Sequence, residues 1–317
     1  MRAAVVREYG PPGVVRVEEV ADPVPGPKDV LVRVRATAVT SGDARIRGAR
    51  FPRGFAPFAR LALGVRRPRR SVLGLTFSGT VEAVGSEVTD VSVGDEVAGT
   101  TGARMGTHAE LVVVRATKVV PVPAGVSHDD AAGVIFGGTT ALFYLREKAH
   151  LQDRPGSSVL VVGASGAVGT NAVQLAHNAG ATVTGVCSGA NADLVRSLGA
   201  THVVDHTTTD VTTLPERYDV VFDTVGTLSP ASGRPLLADG GVLLLAVASL
   251  GDTLRARGDV KAGPAPERVG DMRELLDLVA SGRLRVVLDR VLPLDEVVAA
   301  HERVDSGRKV GNVLLRP

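Results

Sequence analysis

Residues 158–169 read SVLVVGASGAVG, an apolar run that leads into a glycine-rich turn. A helical stretch follows, and then a second apolar run at residues 182–188. Gly166 allows the backbone to approach a pyrophosphate, and Gly169 allows the helix to pack closely on the strand. The N-terminus of that helix offers unpaired N–H groups to phosphates. The stretch therefore predicts a dinucleotide-binding turn whose cofactor contacts are Ser165, Gly166, Ala167 and Val168.

The alternation of strand and helix continues beyond the turn. Strand-like runs occupy residues 201–205, 219–223 and 241–248, and the helical stretches close at Gly180 and Gly199 as helix C-caps do. Such a series predicts an α/β fold with a parallel, doubly wound sheet of the Rossmann type. Glycine turns also end strands for purely structural reasons. The continuous apolar run before this turn is typical of a buried parallel strand and favours the dinucleotide site.

The segments on either side of this unit have a different pattern. Short β-type runs separated by Pro and Gly turns predict an irregular β domain, at residues 14–20, 30–37, 80–84, 96–99 and 109–114. The chain ends with a strand, helix and strand pattern that we expect to return to this β domain. The predicted domains are therefore 1–122 with 289–317, and 123–288.

Composition narrows the class of protein. The 317 residues include 36 Lys and Arg against 34 Asp and Glu. The net charge is therefore too small to attract nucleic acid or a membrane surface. A single cysteine excludes an intrachain disulfide and a cysteine-based metal site. The N-terminus is too polar for a signal sequence, and no apolar run reaches membrane-spanning length. We expect a cytoplasmic protein that binds neither nucleic acid nor a membrane.

Local motifs along nearly the whole chain resemble one known family. They lie at residues 23–27, 39–43, 74–81, 93–97, 137–141, 163–169, 196–200, 223–226 and 307–314. Together with the domain order, they resemble the medium-chain dehydrogenase/reductase superfamily, in its zinc-independent quinone oxidoreductase branch. The resemblance implies a GroES-like irregular β domain beside the Rossmann domain. It also implies an NADPH-dependent reductase that transfers hydride to a quinone or an α,β-unsaturated carbonyl substrate.

Zinc ligands are missing at the places where the resemblance expects them. Zinc-dependent members of the superfamily use a Cys and a His-Glu pair for the catalytic metal. Here the Cys position matches Ser41 or its neighbours, and the His-Glu position falls at Leu75-Thr76. His202 and His206 flank a predicted strand instead of sharing a helix face. The lone Cys187 is expected to be a small buried side chain, so no metal is predicted.

The end of the second Rossmann strand indicates the choice of cofactor. A site specific for NAD places Asp or Glu there to bind the ribose 2′-hydroxyl. This chain has Ser188 and Asn191 instead, which favours NADPH because both side chains can donate to a 2′-phosphate. The resemblance implies a cofactor contact at His206, which follows Asp205 where a Tyr often stands in the family. Arg196 either adds positive charge to the 2′-phosphate or is a solvated surface group.

The resemblance also implies the residues near the reacting atoms. Thr40, Asp43 and Thr140 are the catalytic candidates, and a hydroxyl of Thr40, Ser41 or Thr140 could donate to a developing enolate oxygen. Asp43 has a second interpretation, as a structural side chain hydrogen-bonded to the adjacent turn. A tyrosine proton donor is not expected, because the nearest aromatic residue is Phe51. The remaining cofactor contacts implied are Thr140, Val225, Ala246, Val247, Ala248 and Asn312.

Several alternatives stay open from the sequence. The arginine-rich segment 51–70 has apolar spacing typical of one or two helical turns; it could be a lid, a solvated face or a binding site for a thioester phosphate. His108 is interpreted as structural. Two other functions remain: a nucleotide-binding protein with little turnover, and an enoyl-thioester reductase. We expect a homodimer, paired through a last Rossmann strand near residues 285–288.

Overall fold

The apolar run before the glycine turn forms a central strand of a parallel sheet in the computed structural model, which describes all residues 1–317. The strands are β1 (Arg2–Val6), β2 (Val15–Glu19), β3 (Asp29–Val39), β4 (Thr76–Val84), β5 (Glu96–Thr100), β6 (Leu111–Arg115), β7 (Val119–Pro121), β8 (Ser158–Val162), β9 (Thr182–Cys187), β10 (His202–Asp205), β11 (Tyr218–Asp223), β12 (Leu237–Leu245), β13 (Val260–Ala262), β14 (Leu288–Pro293) and β15 (Asn312–Arg316). The α-helices are α1 (Ser41–Arg47), α2 (Ala56–Leu63), α3 (His128–Phe143), α4 (Ala167–Asn178), α5 (Ala192–Ser197), α6 (Pro230–Gly233), α7 (Leu250–Arg255), α8 (Val269–Ala280) and α9 (Val297–Asp305).

Six of these strands form the parallel sheet, in the order β10-β9-β8-β11-β12-β13. Helix α4 connects β8 to β9, and α5 connects β9 to β10. Both faces of the sheet are buried: Val159 and Val161 pack in the core on one face, and Leu160 and Val162 pack in the core on the other. Burial on both faces explains the uninterrupted apolar run in the sequence. The predicted doubly wound parallel sheet is confirmed.

A second sheet carries the remaining domain. Its seven strands run in the order β14-β15-β3-β4-β5-β7, with β6 also paired to β3. The long β3 pairs antiparallel with β4, β6 and β15. The C-terminal segment therefore returns to this domain, because β15 completes a sheet that begins near the N-terminus. The predicted irregular β domain and its returning tail are both present.

The prediction of a Rossmann strand near residues 285–288 is wrong. Val286 and Val287 belong to no strand, and Leu288 begins β14 of the other sheet. Side chains take the backbone hydrogen bonds that a neighbouring strand would have made. The Gln174 amide bonds both the N–H and the carbonyl of Arg285, and the Asn312 amide donates to the carbonyl of Val287. The parallel sheet ends at β10 on one side and at β13 on the other. The homodimer stays a prediction, but the strand first expected to form its interface does not belong to this sheet.

Helix α3 and the tail hold the two domains together at the glycine turn. A Cβ added to Gly137 of α3 would come within 2.2 Å of the Ala167 carbonyl oxygen, so the two helices are in close contact there. In the tail, Gly311 donates its N–H to the Ser165 carbonyl over 2.8 Å. The glycine turn therefore lies at the junction of the domains. No helix in this fold combines the length and the apolarity needed to cross a membrane.

Candidate active site

A cavity of about 530 Å³ lies between the two domains, a volume typical of small-molecule sites. The start of α1 and Leu75 form one wall, while α3, the glycine turn and the loop at residues 263–267 form the opposite wall. The tail contributes Lys309. The cavity brings together many of the predicted site residues, namely Thr40, Thr140, Gly166, Ala167, Val168, Val225, Ala246, Val247 and Asn312.

The glycine turn has the geometry that a pyrophosphate needs. Gly163 has a φ of +83°, and a Cβ on Gly169 would lie only 2.1 Å from the Gly163 carbonyl oxygen. Helix α4 begins after Gly166 with no side-chain cap, and its first turn lies beside the tail, where Gly166 forms an isolated parallel bridge with Gly311. The N–H of Val168 has no partner within the protein. Unpaired N–H groups at a helix N-terminus bind anions. These residues fit a dinucleotide.

The loop after β9 places the predicted 2′-phosphate residues beside this turn but outside the cavity. The Asn191 amide donates to Ser165 Oγ over 3.3 Å and to Ser188 Oγ over 3.1 Å. Arg196 is exposed and pairs with the Asp193 carboxylate. Its charge is therefore already balanced, which favours the interpretation as a surface group.

A carboxylate that the sequence analysis overlooked lies next to this loop. A Cβ on Gly189 would come within 2.5 Å of the Asp205 carboxylate, although Asp205 belongs to the neighbouring strand β10. Hydrogen bonds from the Thr207 N–H and hydroxyl lower the pKa of Asp205 and keep it charged. The argument for NADPH from the absence of a carboxylate is therefore incomplete. His206, the next residue, is exposed, and Ala248 packs in the core of the parallel sheet.

The three catalytic candidates are already engaged within the protein. Thr40 caps α1: its hydroxyl donates to the Asp43 carboxylate over 2.6 Å and accepts from the Asp43 N–H. Asp43 is fully buried, also accepts from the N–H groups of Thr40 and Gly74, and does not line the cavity. The Thr140 hydroxyl donates to the Phe136 carbonyl over 2.8 Å. Asp43 is therefore a structural side chain hydrogen-bonded to its neighbours, as its second interpretation from the sequence has it. The hydroxyl protons of Thr40 and Thr140 are both used in bonds within the protein.

Three cavity residues were missed by the sequence analysis. Tyr144 donates its hydroxyl to the carbonyls of Leu245 and Gly263, and burial raises its pKa. Lys309 donates to the Gly311 carbonyl over 2.7 Å, and burial lowers its pKa to about 8. Arg45 projects from α1 into the cavity wall. No local motif marks these positions, because their role depends on which distant segments meet at the cavity.

Comparison with known proteins places this architecture in a family. Residues 26–124 match the alcohol dehydrogenase GroES-like domain, and residues 198–315 match the zinc-binding dehydrogenase domain. A quinone oxidoreductase of Pseudomonas aeruginosa is 32% identical, over 98% of this chain and 97% of its own length. The chain belongs to the zinc-independent, quinone oxidoreductase-like branch of the medium-chain dehydrogenases/reductases. It is therefore an oxidoreductase that uses a nicotinamide cofactor.

Two further relatives cover the whole chain. An NADPH-dependent alkenal/one oxidoreductase of Arabidopsis thaliana is 28% identical over 100% of this chain and 80% of its own length. The structure of a quinone oxidoreductase from Coxiella burnetii superimposes with a TM-score of 0.90 at 26% identity, and it covers 100% of this chain and 99% of that one. The fold and the domain order are thus shared over the entire length.

At the positions where zinc-dependent members of the family hold their metal, this chain places Ser41, Leu75 and Thr76 in the cavity wall. No group of three or more His, Cys, Asp or Glu side chains is arranged to hold a metal ion. Cys187 is buried, and burial raises the pKa of its thiol to about 11. His128 lies outside the cavity, with Nδ1 2.6 Å from Ser78 Oγ.

The arginine-rich segment contains the expected short helix, α2, whose side chains are not buried. No residue of 51–70 lines the cavity, so the segment does not cover the site in this structure. It touches the other domain where the Leu250 N–H donates to the Arg53 carbonyl over 2.8 Å. His108 is fully buried with Nε2 3.1 Å from the Ala38 carbonyl, outside the cavity, as its structural interpretation requires.

Proposed function

We propose that the protein is an NADPH-dependent, zinc-independent reductase of quinones or α,β-unsaturated carbonyl compounds. The observation that carries this proposal is the position of the glycine turn. The glycine turn and the start of α4, at Gly166, Ala167 and Val168, line the same cavity as the α1 wall and Leu75. The names of the Pseudomonas and Arabidopsis relatives support the same two substrate classes.

In this proposal the cofactor is held along the Rossmann edge of the cavity. Gly166, Ala167 and Val168 receive the pyrophosphate, with Ser165 and Asn312 beside it. Thr140, Val225, Ala246, Val247 and Ala248 line the nicotinamide end. Ser188 and Asn191 donate to the 2′-phosphate, and His206 lies near the adenine. Support comes from the shared cavity and from the hydrogen bonds that join Asn191, Ser188 and Ser165.

When bound, the nicotinamide supplies a hydride; in net terms one hydride and one proton add to the substrate, and NADPH is oxidised to NADP⁺. The chain's own contribution is alignment and a few hydrogen-bond donors. The Thr40 and Thr140 hydroxyl protons are engaged, whereas the Ser41 hydroxyl and the Arg45 guanidinium make no hydrogen bond within the protein. These two groups can donate to a substrate oxygen, as can the Thr100 hydroxyl, which lines the cavity and accepts from the Gly102 N–H.

A dedicated proton donor is not part of this mechanism. Tyr144 is the tyrosine in the cavity wall, but its hydroxyl is bonded to two backbone carbonyls and burial raises its pKa. The proton therefore comes from water. Quinones suit such a site, because they accept electrons without a precisely placed acid.

The deciding experiment is NADPH oxidation measured against a quinone, an enone and an enoyl thioester. Steady turnover with the quinone or the enone is expected. Turnover with the enoyl thioester alone would identify an enoyl-thioester reductase. NADPH binding without oxidation by any of the three would instead leave a nucleotide-binding protein with little turnover.

Cofactor preference is tested separately, by fluorescence titration of NADPH and NADH. NADPH is expected to bind more tightly, and Ser188→Asp to reverse the preference by repelling the 2′-phosphate. Because the Asp205 carboxylate lies beside the same loop, Asp205→Asn is expected to tighten NADPH binding and leave NADH binding unchanged. Equal affinity for both cofactors in the wild-type protein would contradict the assignment of NADPH.

The glycine turn itself is tested by Gly169→Ala. The added methyl would clash with the Gly163 carbonyl, so the loss of dinucleotide binding is expected. Gly270→Ala is the matched control, because no atom lies within 4 Å of the Cβ added in helix α8. If Gly169→Ala bound NADPH as the wild type does, this turn would not be the pyrophosphate site.

A further inference from the structure

Three charged side chains line the cavity: Arg45 on α1, Lys309 in the tail and Glu267 in the loop at residues 263–267. Lys309 is engaged with the Gly311 carbonyl and lies near the Asp289 carboxylate. Glu267 is exposed at the surface. Arg45 differs from both, because it is partly buried and makes no hydrogen bond or ion pair with the rest of the protein.

The isolation of Arg45 is costly in the absence of a ligand. Burial lowers the pKa of its guanidinium, and no carboxylate lies near enough to oppose that effect. Buried or partly buried arginines are normally paired with an anion, since removing a charge from water costs free energy. The same helix provides the cavity face on which Arg45 lies: Ser41 precedes it by four residues, and positions four apart share one side of a helix.

We propose, building on the reductase function above, that Arg45 binds a carboxylate of the substrate. The substrate class is then an α,β-unsaturated carbonyl compound that carries a carboxylate. The planar guanidinium presents parallel N–H donors that match the two carboxylate oxygens, and this pairing fixes the orientation of the substrate as well as its affinity. Arg45 and the glycine turn line the same cavity from different elements, so one cavity holds both the anchor and the dinucleotide site.

A carboxylate fits this single cation better than a phosphate does. A phosphate monoester carries a charge of about −1.5 to −2 at neutral pH. Arg45 supplies one positive charge, whereas Lys309 is held by the Gly311 carbonyl and has its charge opposed by the Asp289 carboxylate. One arginine balances one carboxylate. The assignment therefore points to small acidic enones and not to phosphorylated thioesters.

The experiment compares a charged substrate with its neutral counterpart, 4-oxopent-2-enoate and its methyl ester, each with NADPH. The wild-type protein is expected to have the higher kcat/KM for the acid. Arg45→Gln is expected to lower the ratio of acid to ester kcat/KM by about 10- to 100-fold, and Arg45→Lys by less, because Lys keeps the charge but loses the fork. Expressing the effect as a ratio cancels the different intrinsic reactivity of the two substrates.

Arg53→Gln is the matched control. It removes the same charge from an exposed position of the neighbouring segment that does not line the cavity, and it should leave the acid-to-ester ratio unchanged. The Kd of NADPH should also stay within about twofold in Arg45→Gln, since the pyrophosphate is held at the glycine turn. Two outcomes overturn the proposal: an acid-to-ester ratio that is unchanged in Arg45→Gln, whether or not both rates fall, or a loss of NADPH affinity that accounts for the effect.

A binding measurement separates this proposal from the reductase function. Calorimetry of the protein saturated with NADP⁺ is run with the saturated analogues 4-oxopentanoate and methyl 4-oxopentanoate. Binding of the acid that Arg45→Gln removes would support the carboxylate site even if neither unsaturated substrate were reduced. Turnover of the unsaturated substrates without any preference for the acid analogue would leave the reductase intact and overturn the role of Arg45.

Discussion

On the inner face of helix α1, Arg47 is fully buried and donates to the Gly10 carbonyl over 2.8 Å and to the Asp305 carboxylate. On the cavity face of the same helix, Arg45 has no partner at all. Asp43, also on the inner face, accepts hydrogen bonds from two backbone N–H groups and a hydroxyl. The contrast separates two kinds of charged side chain. Those that stabilise the fold are paired within the protein, and those that bind a ligand are left unpaired within it.

The largest effect expected from this comparison is on stability. Arg47→Gln removes a fully buried guanidinium with its bond to the Gly10 carbonyl, and Asp305 keeps only the exposed Arg50 as an ion-pair partner. The free energy of unfolding should fall by about 3–5 kcal/mol. Arg45→Gln, two residues away, should change it by no more than about 0.5 kcal/mol, because no contact is lost. Urea denaturation of both variants measures the difference. Similar losses in the two variants would abolish the distinction between the faces.

The second effect concerns Asp43. Asp43→Ala removes the carboxylate of the capping box and leaves the buried N–H groups of Thr40 and Gly74 without an acceptor, so the free energy of unfolding should fall by about 2–3 kcal/mol. Asp130→Ala is the control: Asp130 has the same relation to the Ser127 cap of α3, but in an exposed setting. It should cost about 1 kcal/mol or less. If Asp130→Ala lowered the free energy of unfolding more than Asp43→Ala does, burial would not determine how strongly these carboxylates stabilise their helices.

The third prediction is a pH dependence caused by His301, which packs its buried ring 6.0 Å from His108 behind the inner face. Burial, with His108 and Arg47 nearby, lowers its pKa well below the usual value. The unfolded chain therefore binds a proton that the folded chain does not, and stability falls as the pH drops below about 6.5. The slope should reach at most about 1.4 kcal/mol per pH unit.

Denaturation between pH 7 and pH 5 tests this dependence, and His301→Leu should flatten it. His202→Gln, at an exposed position, should leave the slope as it is. If the wild-type protein were equally stable across this range, the neutral state of His301 would not be coupled to folding.

The smallest effect is expected at Ser41 and its neighbours on the cavity face. Since no ligand set for a metal is present, treatment with EDTA should leave both NADPH oxidation and the unfolding midpoint unchanged. Metal analysis of the purified protein accompanies the assay. Stoichiometric zinc that is lost together with activity would contradict the prediction.

The fold was predictable because its signals are local. The apolar run at residues 159–162 and the glycine turn specify a buried strand followed by a helix, whatever the rest of the chain does. The strand predicted at residues 285–288 failed for the opposite reason. Its apolar residues resemble a strand, yet Gln174 and Asn312 take its backbone hydrogen bonds from distant parts of the chain. Such side-chain partners have no local pattern.

Some parts of the candidate site could be predicted from the sequence, and others could not. The glycine turn and the Ser188–Asn191 loop follow a spacing rule, and the structure brings them together. Asp205 reaches the loop from a neighbouring strand, and Arg45 reaches the cavity because α1 turns one face towards it. The sequence also left the hydroxyl protons of Thr40 and Thr140 apparently free, because their acceptors become visible only when the helices form.

The contacts at the glycine turn also determine how the cleft can move. The hydrogen bond from Gly311 to Ser165 joins the turn to the tail of the other domain. The Gly137 contact joins the turn to α3, which also packs on β3 and β4 of the other domain. A rotation of one domain against the other therefore pivots close to the turn, and displacements grow with distance from that pivot. At the contact between Leu250 and Arg53, moving the two domains apart would break the hydrogen bond from the Leu250 N–H to the Arg53 carbonyl. Such a rotation would open the cleft most at the end far from the turn. Substrate could exchange there while the dinucleotide keeps its contacts at the turn.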